Sequence, residues 1–148
     1  MKVCAFTGHR ILTEDFDPDV LKNVIKNLAK TGVKKFLCGM AVGFDMEAAK
    51  AVLSLKKKYK LELVACLPCE GQSAKFSDKN KELYDGILKE CDEIITLAPA
   101  YVSGCMQKRD RYLVDNSDVI VCFLRRNSGG TYYTVNYAKR KDKKIIEL

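Results

Sequence analysis

The stretch Lys2-Val3-Cys4-Ala5-Phe6-Thr7-Gly8-His9-Arg10 decides the fold. Its apolar run is short and stops at Thr7-Gly8, the pattern of a buried strand that ends in a tight connection. Asp17-Pro18 then supplies an N-cap and a first-turn proline, and Val20, Leu21, Val24, Ile25 and Leu28 share one helical face before Gly32 closes it. A strand therefore leads through a glycine turn into a helix.

Working outward, the same pair recurs. Strands are expected at Lys35 to Cys38, Leu61 to Cys66, Glu93 to Leu97, Val119 to Phe123 and Lys144 to Glu147. Helices are expected from about Asp45 to Lys57, on the face carrying Leu83, Tyr84, Ile87, Leu88 and Cys91, from Met106 to about Asp115, and from Thr131 to about Lys139. Six strands that are apolar almost throughout, alternating with five helices, imply an α/β fold: a Rossmann-like, open, mainly parallel six-stranded sheet with helices on both faces. A length of 148 residues and 47% hydrophobic composition suit a single domain over residues 1–148. The longest irregular stretch, Pro68 to Ser77, is a candidate lid or binding loop.

No run of about 18 uncharged apolar residues exists, and no charged start leads into a long apolar segment, so a cytoplasmic protein without a membrane partner is expected. Seven cysteines is an odd number, and Cys4, Cys38, Cys66 and Cys122 sit inside strand-like runs, which fits reduced buried thiols better than a disulfide framework. Cys66-Leu67-Pro68-Cys69 has zinc or redox spacing, but no second C-x-x-C accompanies it. No metal is expected there.

In a parallel sheet the strand-to-helix connections emerge at the carboxyl edge, where ligands bind and helix N-termini present free N–H groups. Glycine occurs in all five of these connections, and a strand–Gly-x-x-x-Gly–helix connection such as Gly39 to Gly43 can wrap a phosphate with main-chain donors. Neither G-x-G-x-x-G nor G-x-x-x-x-G-K-[ST] is present, so no cofactor is expected from a standard fingerprint. Five of the six arginines, Arg10, Arg109, Arg111, Arg125 and Arg126, fall at this edge, and arginine reads phosphate bidentately. Many lysines instead cluster at helix C-termini, where they complement the dipole, so most of the net charge of +7 reads as a solvated face. Nucleic acid is accordingly a less favoured partner than a small nucleotide-derived molecule, and self-association stays open. His9, the single histidine, either caps its turn or acts on a ligand. Asp45 and Glu47 open a helix as dipole partners, with Asp45 equally suited to a ribose hydroxyl.

Phe6-Thr7-Gly8-His9-Arg10, Cys38 through Asp45, Cys105-Met106 leading to Arg109-Asp110-Arg111-Tyr112, and Gly129-Gly130-Thr131 together resemble the SLOG superfamily and within it the YpsA-like branch. The resemblance implies a Rossmannoid fold that binds a nucleotide or nucleotide-derived ligand, with a sensor or regulatory role. It places the ligand on Thr7, Gly8, His9 and Arg10, on Gly39, Met40, Gly43 and Asp45, and on Gly129, Gly130 and Thr131, beside Arg109 and Arg111. The superfamily also holds nucleotide phosphoribohydrolases similar to LONELY GUY proteins and a branch that binds single-stranded DNA. In the hydrolases the last turn reads Gly-Gly-x-Gly-Thr-x-x-Glu, and the resemblance puts Thr134 where that glutamate would stand. A threonine hydroxyl can bind but cannot supply the carboxylate, so a noncatalytic binder is expected; if the protein hydrolyses nucleoside monophosphates, the obvious replacements are Asp45, Glu47 and Glu70, with Asp45 and Glu47 favoured because they open a helix at the same edge.

Overall fold

A computed structural model describes residues 2–148. The chain alternates β1 (Val3–Gly8), α1 (Pro18–Lys30), β2 (Lys35–Cys38), α2 (Phe44–Tyr59), β3 (Glu62–Leu67), α3 (Asp78–Glu90), β4 (Glu93–Thr96), α4 (Cys105–Asp115), β5 (Val119–Phe123), α5 (Gly129–Arg140) and β6 (Lys144–Glu147). All six strands pair in parallel in the order β4-β3-β2-β1-β5-β6. The expected elements are all present. β1 extends two residues beyond the apolar run because Thr7 and Gly8 stay in register with Cys122 and Phe123 of β5. α5 starts at Gly129, two residues ahead of Thr131, with Gly129 itself at φ +88°.

The strand order explains where the helices go. From β1 to β4 the chain moves one way across the sheet, and α1, α2 and α3 cover one face; after β4 it doubles back, and α4 and α5 cover the other. Alternate residues of each strand feed the two cores: Cys4, Phe6, Phe36 and Phe123 face α1 and α2, whereas Ala5, Leu37, Ile120 and Cys122 face α4 and α5. The larger core stacks Phe6 on Phe36 (5.8 Å) and Phe44 on Phe123 (6.1 Å), with Phe16 edge-on to the latter pair. The reversal leaves a crevice between β1 and β5 at their carboxyl ends, the place where an open α/β sheet accepts ligands.

Caps follow the residues that define them. The Asp17 side chain accepts from the N–H of Asp19 ahead of Pro18, and the Ser77 hydroxyl accepts from the N–H of Asn80. Residues 68–77 form turns, latched by Gln72, whose amide donates to the Gly39 carbonyl and whose oxygen accepts from Tyr84. No helix among the described residues is long and apolar enough to cross a membrane. All seven cysteines are free thiols.

Candidate functional site

Two strand exits are fused at the crevice. Gly43 lies at φ +88°, and a Cβ there would collide with the carbonyls of His9 and Arg10; a Cβ on Gly8 would likewise enter the Phe44 ring. With only hydrogen at both positions, the Phe44 N–H reaches the His9 carbonyl at 3.1 Å and the β2–α2 connection lies flat on the β1–α1 connection. Gly8 and Gly43, two of the five glycines that the sequence assigns to ligand contact, thus bring the two loops together.

The result is a pocket of about 420 Å³, within the range of small-molecule sites. Thr7, Gly8, His9 and Arg10 come from β1 and its exit, Ala41 from the β2–α2 connection, Asp45 from the first turn of α2, Met106, Arg109 and Asp110 from α4, and Arg126, Gly130 and Thr131 from the β5 exit and the first turn of α5. Arg10 and Arg126 are exposed cations at the mouth. Ser128, the N-cap of α5, makes no side-chain cap bond, so the first-turn N–H groups of α5 keep their capacity for an anion. A larger, open depression of about 670 Å³ lies at the opposite edge among Leu53, Lys56, Lys57, Lys60, Leu61 and Glu90. It has no glycine loop.

Beneath the pocket, Arg109 is buried. Its guanidinium donates to the Gly39 carbonyl, approaches the Cys66 carbonyl at 3.5 Å, and pairs with Asp110 at 3.0 Å. A Cβ on Gly39 would stand 2.8 Å from that guanidinium, so any side chain there would have to displace it. Burial opposes the Arg109 charge, but Asp110 and Asp45 hold it firmly protonated. Arg109 therefore ties the ends of β2 and β3 together and acts as the counterion of Asp110 and Asp45 beneath the pocket.

The two carboxylates beside it behave unusually. Asp45 is 6% exposed; its Oδ2 accepts from the Ala41 N–H at 3.1 Å, and its Oδ1 has no partner. Burial pushes its carboxyl up to about 6 against the opposing pull of Arg109 and the Ala41 N–H, with Asp110 adding repulsion. Asp110 is raised too, by burial that outweighs Arg109 and the neighbouring Thr134 hydroxyl. Two acids with raised protonation ranges thus share one pocket wall.

The other residues singled out in the sequence fall in several places. His9 is buried, and its Nε2 accepts from the Arg125 N–H at 2.8 Å. Burial and the charges of Arg126 and Arg125 lower its protonation, so it caps the β5 exit as a neutral ring with its proton on Nδ1. Met40 is buried with φ +61° and belongs to the core, outside the pocket wall. Arg111 turns away from the pocket to the Tyr133 hydroxyl (2.9 Å), and Thr134 donates back to the Gly130 carbonyl (2.8 Å). Gly129 packs beneath Arg126. Glu47 pairs with Lys50, and neither it nor Glu70 lines the pocket. Asp110 and Arg126 join the wall although sequence reasoning leaves them out of the site. Arg126 follows from its place at a strand exit; the meeting of Asp110 with Asp45 across α4 and α2 has no signature in sequence spacing.

Comparison with known proteins adds family and fold. The chain is 34% identical to the SPbeta prophage-derived protein YoqJ of Bacillus subtilis, over 82% of this chain and 80% of that one. It is 25% identical to a UPF0398 protein of Bacillus licheniformis, over 97% of this chain and 86% of that one. Among solved structures it superposes on DNA processing protein A of Streptococcus pneumoniae (TM-score 0.71, 17% identity) and of Helicobacter pylori (TM-score 0.73, 19% identity), covering 99% of this chain in each case. It spans 50% and 65% of those two chains, and at such identities the likeness is one of fold. The sequence profile of the YspA SLOG family matches residues 17–147, nearly the whole chain, and the protein belongs to that family.

Proposed function

We propose that the crevice between β1 and β5 binds a nucleotide or nucleotide-derived, phosphate-bearing ligand, and that the protein serves as a noncatalytic sensor or regulator. One observation carries this reading: a single pocket of about 420 Å³ combines two exposed arginines and an uncapped helix N-terminus with a buried carboxylate oxygen that has no donor. The cationic half suits phosphate. The carboxylate half needs a hydroxyl or amino group, because an ionised carboxylate only accepts. A nucleotide carries both. DNA processing protein A of Helicobacter pylori, which shares this fold, binds single-stranded DNA, and that is consistent with phosphate chemistry on such a sheet. The test is calorimetry of the purified protein against nucleoside mono-, di- and cyclic phosphates with inorganic phosphate as control. Micromolar binding of at least one nucleotide is expected; no binding by any of them overturns the proposal.

A second reading, hydrolysis of the N-glycosidic bond of a nucleoside monophosphate, has one observation in its favour. Thr134 removes the carboxylate expected from α5, yet Asp110 of α4 lies beside Thr134 and lines the same pocket as Asp45. Release of free base from AMP decides between the two. A noncatalytic binder releases none, whereas turnover abolished by Asp45→Asn or Asp110→Asn establishes the hydrolase.

A further inference from the structure

We infer that Asp45 and Asp110 receive the two hydroxyls of a ribose cis-diol, so that the pocket selects ribonucleoside phosphates over their 2′-deoxy counterparts. The inference rests on the proposal that the pocket binds a nucleotide, and it narrows the class of that ligand.

The geometry supplies the reason. The two aspartates reach the pocket from different helices, Asp45 from the first turn of α2 and Asp110 from α4, and they flank one guanidinium. Each uses one oxygen for the protein. Asp45 Oδ2 takes the Ala41 N–H, and Asp110 Oδ1 takes Arg109 Nε. Asp45 Oδ1 is left without any donor, and Asp110 Oδ2 lies over Gly130, 3.9 Å from where a Cβ would stand. The hydrogen bonds of Arg109 go elsewhere, from Nε to Asp110 Oδ1 and from Nη1 to the Gly39 and Cys66 carbonyls. The single Thr134 hydroxyl proton is directed at the Gly130 carbonyl, although the hydroxyl also lies within reach of Asp110, so Asp45 Oδ1 is the fully unpartnered oxygen of the two.

A buried carboxylate oxygen without a partner is costly, of order 1–3 kcal/mol or more for a charged group, and is retained where something outside the chain completes it. The completing group must donate. A phosphate, anionic and lacking donors, is repelled by these two oxygens and belongs with the exposed cations Arg10 and Arg126. Two carboxylates that line one pocket and share one guanidinium suit two neighbouring donors on one ring, which is what a ribose 2′,3′-diol offers. Acidic residues near the end of the second strand recognise ribose hydroxyls in dinucleotide-binding α/β folds, and Asp45 sits in that part of this sheet. Burial, which raises both aspartates, would be relieved by two donated hydrogen bonds. A 2′-deoxy sugar supplies only one of the two, leaving one carboxylate oxygen buried and bare.

The experiment is a calorimetric titration of the intact protein with AMP, dAMP, GMP and dGMP, repeated on Asp45→Asn with thermal unfolding recorded alongside. The wild-type protein is expected to bind each ribonucleotide at least about tenfold more tightly than its 2′-deoxy counterpart, the value of one hydrogen bond to a charged group. Asparagine keeps an oxygen for the Ala41 N–H but cannot present a second acceptor, so Asp45→Asn should bring that ratio to within about twofold. Equal wild-type affinities for ribo- and deoxyribonucleotides overturn the inference while leaving nucleotide binding intact. A ratio unchanged by Asp45→Asn in a variant at least as stable as the wild type also overturns it. If none of the four binds, the pocket proposal and the inference fall together.

Discussion

Aspartate does opposite things at the two edges of this sheet. At the amino edge, Asp118 accepts the N–H groups of Lys2 and Val3 at 2.9 Å each, and Asp92 accepts the Leu63 N–H and the Lys56 ammonium at 2.8 Å. The two N–H groups hold Asp118 below the usual carboxylate range; for Asp92, burial pushes upward but Lys56 and Leu63 outweigh it, so it too is lowered. At the carboxyl edge, burial wins and Asp45 and Asp110 are raised. The same residue type is completed by the chain where it joins strands and left incomplete where it faces the pocket. Carboxylates that serve the fold add stability when ionised; those of the pocket subtract from it, as groups kept for an external partner do.

The largest effect should come from removing the charge that makes the incomplete pair tolerable. Arg109→Met leaves Asp45 and Asp110 facing each other without a counterion and frees the ends of β2 and β3, so a loss of about 3–5 kcal/mol is expected in urea denaturation. A loss below about 1 kcal/mol would show that Arg109 is not the pillar of the site.

Next is Asp45→Asn, with the opposite sign. A carboxyl raised from 3.8 to about 6 keeps its proton in the folded chain over a window where the unfolded chain has released it, so wild-type stability falls as pH rises from about 4 to about 6. Asparagine has no proton to lose. The variant should gain up to about 3 kcal/mol at neutral pH, and the gain should vanish below about pH 4. A variant less stable than wild type at pH 7 would place Asp45 with the fold-serving aspartates.

Arg10→Ala should leave stability nearly unchanged and weaken nucleotide binding by about 1.5–3 kcal/mol, since it removes a charge-assisted contact from an exposed side chain. Unchanged affinity by calorimetry would take Arg10 out of the site. The smallest effect belongs to the amino edge: Asp118→Ala should cost about 1 kcal/mol at neutral pH through its two backbone hydrogen bonds. With its protonation range lowered, that contribution is present above the ordinary carboxylate range and is lost as pH falls through the folded value, so wild type and variant should converge in acid.

The contrast between the edges also marks what the sequence could disclose. Apolar strand runs and glycine exits are local, and Lys2 through Arg10, Lys35 through Asp45 and Val119 through Phe123 led directly to the sheet and to the edge that carries the pocket. Arg10, Thr131 and Asp45 were legible as pocket residues for the same reason. What was hidden depends on side-chain direction and on contacts far apart in the chain. Arg109 and Arg111 share α4, but the helix turns them to different sides: Arg109 points inward under Gly39 and Arg111 outward to Tyr133. The partnership of Asp110 with Asp45 joins helices 65 positions apart, and only the packing of α4 and α2 around β1 reveals it. His9 took the turn-capping alternative because its Nε2 meets an N–H from the β5 exit, a contact spanning 116 residues.

The most direct measurement is a nitrogen-15 amide NMR titration of the intact protein with AMP. Shifts should concentrate in residues 7–11, 41–45 and 126–131, the three segments that meet between β1 and β5. Shifts confined to Lys56, Lys57 and Lys60 at the opposite edge, or none at millimolar nucleotide, would contradict the assignment of the carboxyl-edge crevice as the ligand site.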